Sequence, residues 1–227
     1  MKKITSIVAL LVILVSCTPK NEFTVKGTIT GEDLNGKEIY LSKYNEFELL
    51  SSDTVLIKGN QFRFKGIQEE PAVYYIFMDE ATVSGEITMG TPLLIKPGKI
   101  TVDVQGDRVK IGGNEENIAY QQFIDEQYPL ADKMVKLQGE DDSTGDPNDI
   151  YVQYFELLDQ LRALTVNYLL ENVDNPLGEE VFITSYQLLT PEEIKEILDL
   201  ADESFRSNSM VVEILAGIGR ETDESPF

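Results

Sequence analysis

Between Phe23 and Gly113 the apolar side chains recur at every second position. That period puts them on one face of an extended chain and leaves no helical stripe, so this half reads as short, half-buried β-strands. Phe23, Val25 and Ile29 fall on one face, with Thr24, Lys26, Thr28 and Thr30 on the other. Residues 31–36 are turn material. Ile39 and Leu41 then oppose Glu38, Tyr40 and Ser42.

Residues 53–66 predict a hairpin. Gly59-Asn60 is a favoured two-residue loop. It would pair Lys58 with Gln61, Ile57 with Phe62, Leu56 with Arg63 and Val55 with Phe64. Directly paired residues share a face, so Val55, Ile57, Phe62 and Phe64 form one apolar patch. Ala72 to Met78 is apolar on both sides, which suits a central strand covered on both faces. A second hairpin is expected around Pro97-Gly98, with Leu93 and Ile95 opposite Val102 and Ile100. Arg108 to Ile111 is a last short strand, stopped by Gly112-Gly113. Eight or nine short strands predict an antiparallel β-sandwich or a partly open barrel.

From Asn114 the period changes to that of helices. Ala119, Phe123 and Ile124 share a side, and Pro129 is expected to kink or end the first helix. Leu130, Met134 and Leu137 carry the period on. Asp146-Pro147 is a cap with proline at the first helical position, and that helix should run to about Asn172. Thr190-Pro191-Glu192-Glu193 is a capping box before Ile194, Ile197, Leu198, Ala201 and Phe205. Met210 to Ile218 is a last short helix, and residues 221–227 are a polar tail. The class is therefore mainly β plus α (α+β), with strands over 23–113 and helices over 114–220.

Residues 1–16 have the form of a secretory signal: Lys2-Lys3, an apolar run from Ile7 to Val15, then Leu14-Val15-Ser16-Cys17. The run is too short to span a membrane. The sequence resembles a bacterial lipoprotein signal, in which Cys17 becomes the acylated N-terminus and residues 17–22 a tether. Cys17 is the only cysteine of the 227 residues. The chain has no histidine. Those two facts remove the usual general base, the Ser-His-Asp and Cys-His arrangements, thiol redox pairs and the commonest metal ligand. No catalytic residue, metal site or cofactor is expected. Without residues 1–16 the chain carries 17 basic and 40 acidic side chains, or about −23. Such a charge repels nucleic acid, and it argues against adhesion to anionic lipid through the protein surface. Membrane attachment is expected through acyl chains on Cys17 alone.

Three kinds of cluster are candidates for sites. The acidic run 140–149 offers Asp141, Ser143 and Gly145 but does not reproduce a calcium loop, so it reads as a solvated loop. The pairs Glu69-Glu70, Asp79-Glu80 and Glu179-Glu180 read as surface solubilisers rather than acid–base pairs. Tyr40, Tyr44, Phe47, Tyr74 and Tyr75 form either an aromatic binding face or strand packing. Gly112-Gly113-Asn114 reads as a turn and helix cap, without the lysine of a phosphate loop.

The succession Phe23-Thr24-Val25-Lys26-Gly27, Ile39-Tyr40-Leu41, Asp53-Thr54-Val55, Gly59, Phe62, Phe64, Gly66, Leu94-Ile95-Lys96-Pro97-Gly98 and Ile111-Gly112-Gly113 resembles the DUF4369 domain over about residues 22–115. That domain stands at the N-terminus of many Bacteroidetes lipoproteins, often before a thioredoxin-like domain. The resemblance implies the cell envelope, with the outer membrane facing the periplasm as the expected site. It implies a thioredoxin-like protein as an envelope partner, and transfers no functional residue. The chain stops about where such a domain would begin, as a stand-alone or a truncated form. The expected role is non-catalytic binding of a protein or ligand. The alternatives are an accessory to a thiol-disulfide system and a glycan- or peptide-binding module.

Overall fold

The computed structural model describes residues 21–31, 33–45, 48–78, 90–106, 108–139 and 147–224. Cys17 and its flanks, Phe47, Asp79-Glu80 and most of the acidic run lie outside them. Eight strands are described: β1 Glu22–Thr30, β2 Glu38–Asn45, β3 Glu48–Leu56, β4 Gln61–Ile67, β5 Ala72–Met78, β6 Thr91–Ile95, β7 Gly98–Gln105 and β8 Arg108–Gly112. They form two four-stranded sheets. Sheet A has the order β4-β1-β7-β8 and sheet B the order β3-β2-β5-β6. The result is a sandwich, not a closed barrel. All neighbours are antiparallel except β1 and β7, which run parallel from Phe23↔Gly98 to Thr30↔Gln105.

The alternation holds along β1, β4 and β7, whereas β3 is exposed along nearly all its length and β5 and β6 do not alternate. Phe23, Val25 and Ile29 of β1 are buried, while Lys26, Thr28 and Thr30 are exposed. The two expected hairpins do not form. The Gly59-Asn60 turn is present, with φ of 58° and 57° and Lys58 bonded to Gln61 in both directions at 2.9 and 3.1 Å. Pairing stops there. Ile57 bonds Lys37 at the end of β2, and Phe62 and Phe64 pair with Gly27 and Val25 of β1. The turn is a corner that carries the chain from one sheet to the other. Ile57, Phe62 and Phe64 are still buried, with Val55 packed against them. They meet as facing layers of the core, not as cross-strand neighbours. Pro97-Gly98 is a second corner: Leu93 and Ile95 pair with Tyr74 and Ala72, whereas Ile100 and Val102 pair with β1 and β8.

Two cross-strand pairs fix the fit of β1 to β4. Phe23 lies opposite Gly66, and Gly27 lies opposite Phe62. A Cβ on Gly27 would sit 1.8 Å from the Phe62 ring, and one on Gly66 2.6 Å from the Phe23 ring. Each glycine is a seat for a phenyl ring.

Six helices follow: α1 Glu115–Gly139, α2 Pro147–Asn172, α3 Pro176–Ser185, α4 Pro191–Leu200, α5 Glu203–Ser207 and α6 Ser209–Glu224. Pro129 lies inside α1 and does not end it. The capping box is made on both sides: the Glu193 amide donates to Thr190 Oγ1 at 3.2 Å, and the Thr190 amide to Glu193 Oε2 at 2.7 Å. The sequence reading omitted α3, which Asn175 caps by accepting from the Leu177 and Gly178 amides. It also ended the last helix early, since α6 runs to Glu224.

α1 packs against β8 and β6, the edge strands on one side of the sandwich, and α3 packs on β5 and β6 of sheet B. One continuous buried cluster joins the sandwich to the helices. Its members run from Phe23 to Ile214.

Candidate functional site

α1 reaches the sandwich through polar side chains, and these set the walls of a cleft. Asn117 is fully buried. Its side chain accepts from the Leu94 amide at 2.8 Å and donates to the Leu94 carbonyl at 3.0 Å, as a neighbouring strand would. Gln121 Oε1 accepts from the Ile111 amide at 2.6 Å on β8. Both edges would otherwise leave backbone groups unpaired. At the start of α1, Asn114 accepts from the Asn117 amide at 2.8 Å and donates to the Leu94 carbonyl at 3.0 Å. Gly112-Gly113-Asn114 is thus a turn and a cap, closed against β6.

Beyond Asn117 the helix and the two edges diverge, and a cleft of about 480 Å³ opens between β6, β8 and α1. That size lies within the range of small-ligand sites. Ile111, Tyr120 and Ile124 give it an apolar floor. Successive turns of α1 bring Gln121, Asp125, Tyr128 and Asp132 to one wall, and β8 brings Arg108 and Lys110 to the other. The Arg108 guanidinium lies 4.1 Å from the centre of the Tyr128 ring, a cation–π contact. The cleft can therefore hold an anionic group on Arg108 and Lys110 and an apolar body on the floor.

Behind this floor lies a buried polar cluster between sheet B and α3. Tyr40, Tyr44 and Tyr75 share the outer face of sheet B. Tyr40 stacks on Phe77 at 5.4 Å, and Tyr44 meets Tyr75 edge-on at 5.7 Å. Tyr74 turns the other way, toward Phe23 and the sandwich core. The tyrosines of sheet B thus divide between its two faces, and those on the outer face are packed against other rings. Glu180 of α3 is hydrogen-bonded by the Tyr75 hydroxyl. Burial holds its carboxyl above the usual carboxylate range, against the lowering effect of that bond. Burial, then the Glu180 charge, push the Tyr75 and Tyr120 phenols upward, so both stay donors. Tyr168 stacks on Phe123 at 4.6 Å, and its hydroxyl is buried with no hydrogen-bond partner among the described residues.

The paired carboxylates do not act as pairs. Glu179 turns away from Glu180 and accepts from Asn208 Nδ2 at 2.5 Å, at the start of α6. Burial is the main cause that raises its carboxyl. Glu69 and Glu70 are both exposed between β4 and β5. Among the described residues, no group of three His, Cys, Asp or Glu side chains could hold a metal ion. No described helix is long and apolar enough to cross a membrane. Sequence reasoning missed the cleft. Asp125, Tyr128 and Asp132 have helical spacing with Gln121, but nothing local shows that β8 faces them.

Fold and site together define, among the described residues, an eight-stranded, two-sheet sandwich with the β6 and β8 edges capped by a helix. Residues 23–120 match the model of the family DUF4369, a domain of unknown function, and this chain carries that domain. The match ends at Tyr120, so it takes in the first turns of α1 with Asn114 and Asn117. No curated protein and no solved structure matches the chain.

Proposed function

We propose that this protein is a non-catalytic, lipid-anchored envelope protein that works by binding, with the β6–β8–α1 cleft as its ligand seat. The observation that carries the reading is the pairing in that cleft of a cationic wall, Arg108 and Lys110, with an apolar floor and the Tyr128 ring. The occupant is a small molecule or chain end that joins an anionic group to an apolar part. The anchor is Cys17, and the site is the outer membrane facing the periplasm, as the lipoprotein-like signal implies.

Two measurements test the two parts. Metabolic labelling with a fatty-acid analogue should tag the wild type and not Cys17→Ala; equal labelling of both defeats the anchor. Thermal shift of the form Asn21–Phe227 with carboxylated glycans, peptides and aromatic acids should reveal a stabilising class. That stabilisation should fall about tenfold in apparent affinity in Arg108→Ala, the loss expected for one charge-assisted contact. A shift that Arg108→Ala leaves intact removes the cleft from the reading. A second reading, an accessory to a separate thioredoxin-like subunit, draws on the DUF4369 match, and envelope cross-linking that captures such a subunit would favour it.

A further inference from the structure

The charge of this chain is divided. Residues 114–227 carry 26 acidic and six basic side chains, whereas residues 1–113 carry 14 and 13. Within the sandwich the basic side chains gather on one surface. Lys26, Arg63, Lys65, Lys99, Arg108 and Lys110 all stand on the outer face of sheet A, and all six are exposed. The register sets them side by side. Lys26 lies directly opposite Arg63, and Lys65 and Lys99 flank Thr24. Like charges directly opposite one another destabilise a sheet. None of the six has an ion pair among the described residues, where Lys96, Lys136, Arg162 and Lys195 have theirs. Among the described residues the acids on this face are Glu22 and Asp103, and Asp103 is engaged by the Thr28 hydroxyl. A shallow depression of about 800 Å³ runs over Lys26, Lys58 and Arg63.

We propose that the outer face of sheet A is a cationic platform that lies on an anionic phospholipid surface. Lipid headgroups neutralise the six side chains, and the acidic helices face away. This rests on the anchoring proposed above: only residues 18–21 separate Cys17 from β1, a strand of this very sheet. Such a link spans at most ~18 Å. Net charge argues against lipid contact only if charge is spread evenly, and here it is not. α3 lies on sheet B and α2 and α6 pack on α3, whereas α1 stands against the β6 and β8 edges of both sheets. Facing sheets are ~10 Å apart, and the Debye length at physiological salt is ~8 Å. The helical acids are therefore screened from a surface at sheet A, while α1 brings Asp125 and Asp132 only to the Arg108 corner.

The test uses the form Asn21–Phe227, which contains the whole described core, so it does not depend on acylation. Co-sedimentation is measured with vesicles of phosphatidylcholine alone and with 30 mol% phosphatidylglycerol, a composition set by the assay, at low and at high salt. The wild type should bind the anionic vesicles at low salt, leave them at high salt and ignore the neutral ones. Lys26→Glu with Arg63→Glu and Lys99→Glu should bind at least roughly a hundredfold more weakly, since each cation near such a surface contributes separately. Its melting temperature reports whether it is folded, and Lys133→Glu with Lys136→Glu on α1 and Lys195→Glu on α4, the same change in net charge on the helices, controls for net charge. Absence of wild-type binding to anionic vesicles overturns the proposal, as does equal binding by the folded triple variant. Binding of soluble polyglutamate without vesicle binding would assign the face to an acidic protein and overturn it too. Loss of Cys17 labelling with vesicle binding intact would remove the anchor and leave the platform.

Discussion

Gly27 shows how one residue type can be dictated by a neighbour 35 positions away. It stands opposite Phe62, whose ring occupies the volume of a β-carbon. Phe23 and Gly66 repeat the arrangement in mirror order on the same two strands. The glycines and phenylalanines that make the sequence resemble DUF4369 are thus two ring-on-glycine seats either side of Val25 and Phe64. Gly27→Ala should destabilise the protein by about 3 kcal/mol, the upper range for overpacking a filled core. Chemical denaturation measures it. Pairing Gly27→Ala with Phe62→Leu should recover part of the loss, and strict additivity in that cycle would mean that the ring is not the cause.

At the scale of elements, α1 completes both sheets. A strand edge needs partners for its amides and carbonyls, and here a helix supplies them with Asn117 on β6 and Gln121 on β8. Asn117→Ala would leave the Leu94 amide buried and unpaired, though Asn114 still serves its carbonyl. The expected cost is about 2 kcal/mol. Hydrogen exchange should locate it, with faster exchange at Leu94 and Tyr74 and little change in β1. Uniform loss of protection through both sheets would contradict the local role. The helices themselves were legible where caps announce them, at Pro147 and at Thr190 with Glu193, but the expected stripe from Ile194 to Phe205 is broken: α4 ends at Leu200, the chain turns extended at Ala201, and Phe205 belongs to α5, which Asp202 caps. α3 was not, because its first turn is Pro176-Leu177-Gly178 and its stripe is only Leu177, Val181 and Phe182. The cleft was legible only in halves, since its walls come from β8 and α1, and each charged residue there also reads as surface.

On the scale of the whole molecule, Glu180 links the two halves through Tyr75. In the unfolded chain its carboxyl titrates near the ordinary value of 4.5; in the folded protein burial raises it. Between those two values the folded state keeps a proton that the unfolded state has released. Its contribution is therefore fully present below the unfolded value and lost as pH rises through the folded one. Gln at this position keeps an acceptor for Tyr75 and carries no charge. Glu180→Gln should melt like the wild type near pH 4 and above it toward neutral pH. A difference in melting temperature that is flat with pH would show that the carboxyl is not held neutral. Glu179 has the same sign, and since the Glu180 charge is one of the causes that raise it, Glu180→Gln eases its shift and moves the comparison in the same direction.

Local sequence set which way the side chains of β1, β4 and β7 point and where the capped helices α2 and α4 begin. Alternation and capping are properties of a few adjacent residues, and Phe23, Val25, Ile29, Ile39 and Leu41 are buried as their period requires. Partner choice was left to the tertiary structure. Gly59-Asn60 and Pro97-Gly98 have the chemistry of hairpin turns, yet both are corners between sheets. β1 is the reason: it takes β4 on one side and β7 on the other, so the strands after each turn are claimed by a chain segment far from them. The same holds for charge. A count over the whole chain gives a polyanion, and only the register of β4, β1, β7 and β8 gathers Lys26, Arg63, Lys65 and Lys99 onto one face. Local patterns set orientation because backbone geometry repeats every two or 3.6 residues. Contacts between distant segments are decided by which packing buries the most apolar surface at once.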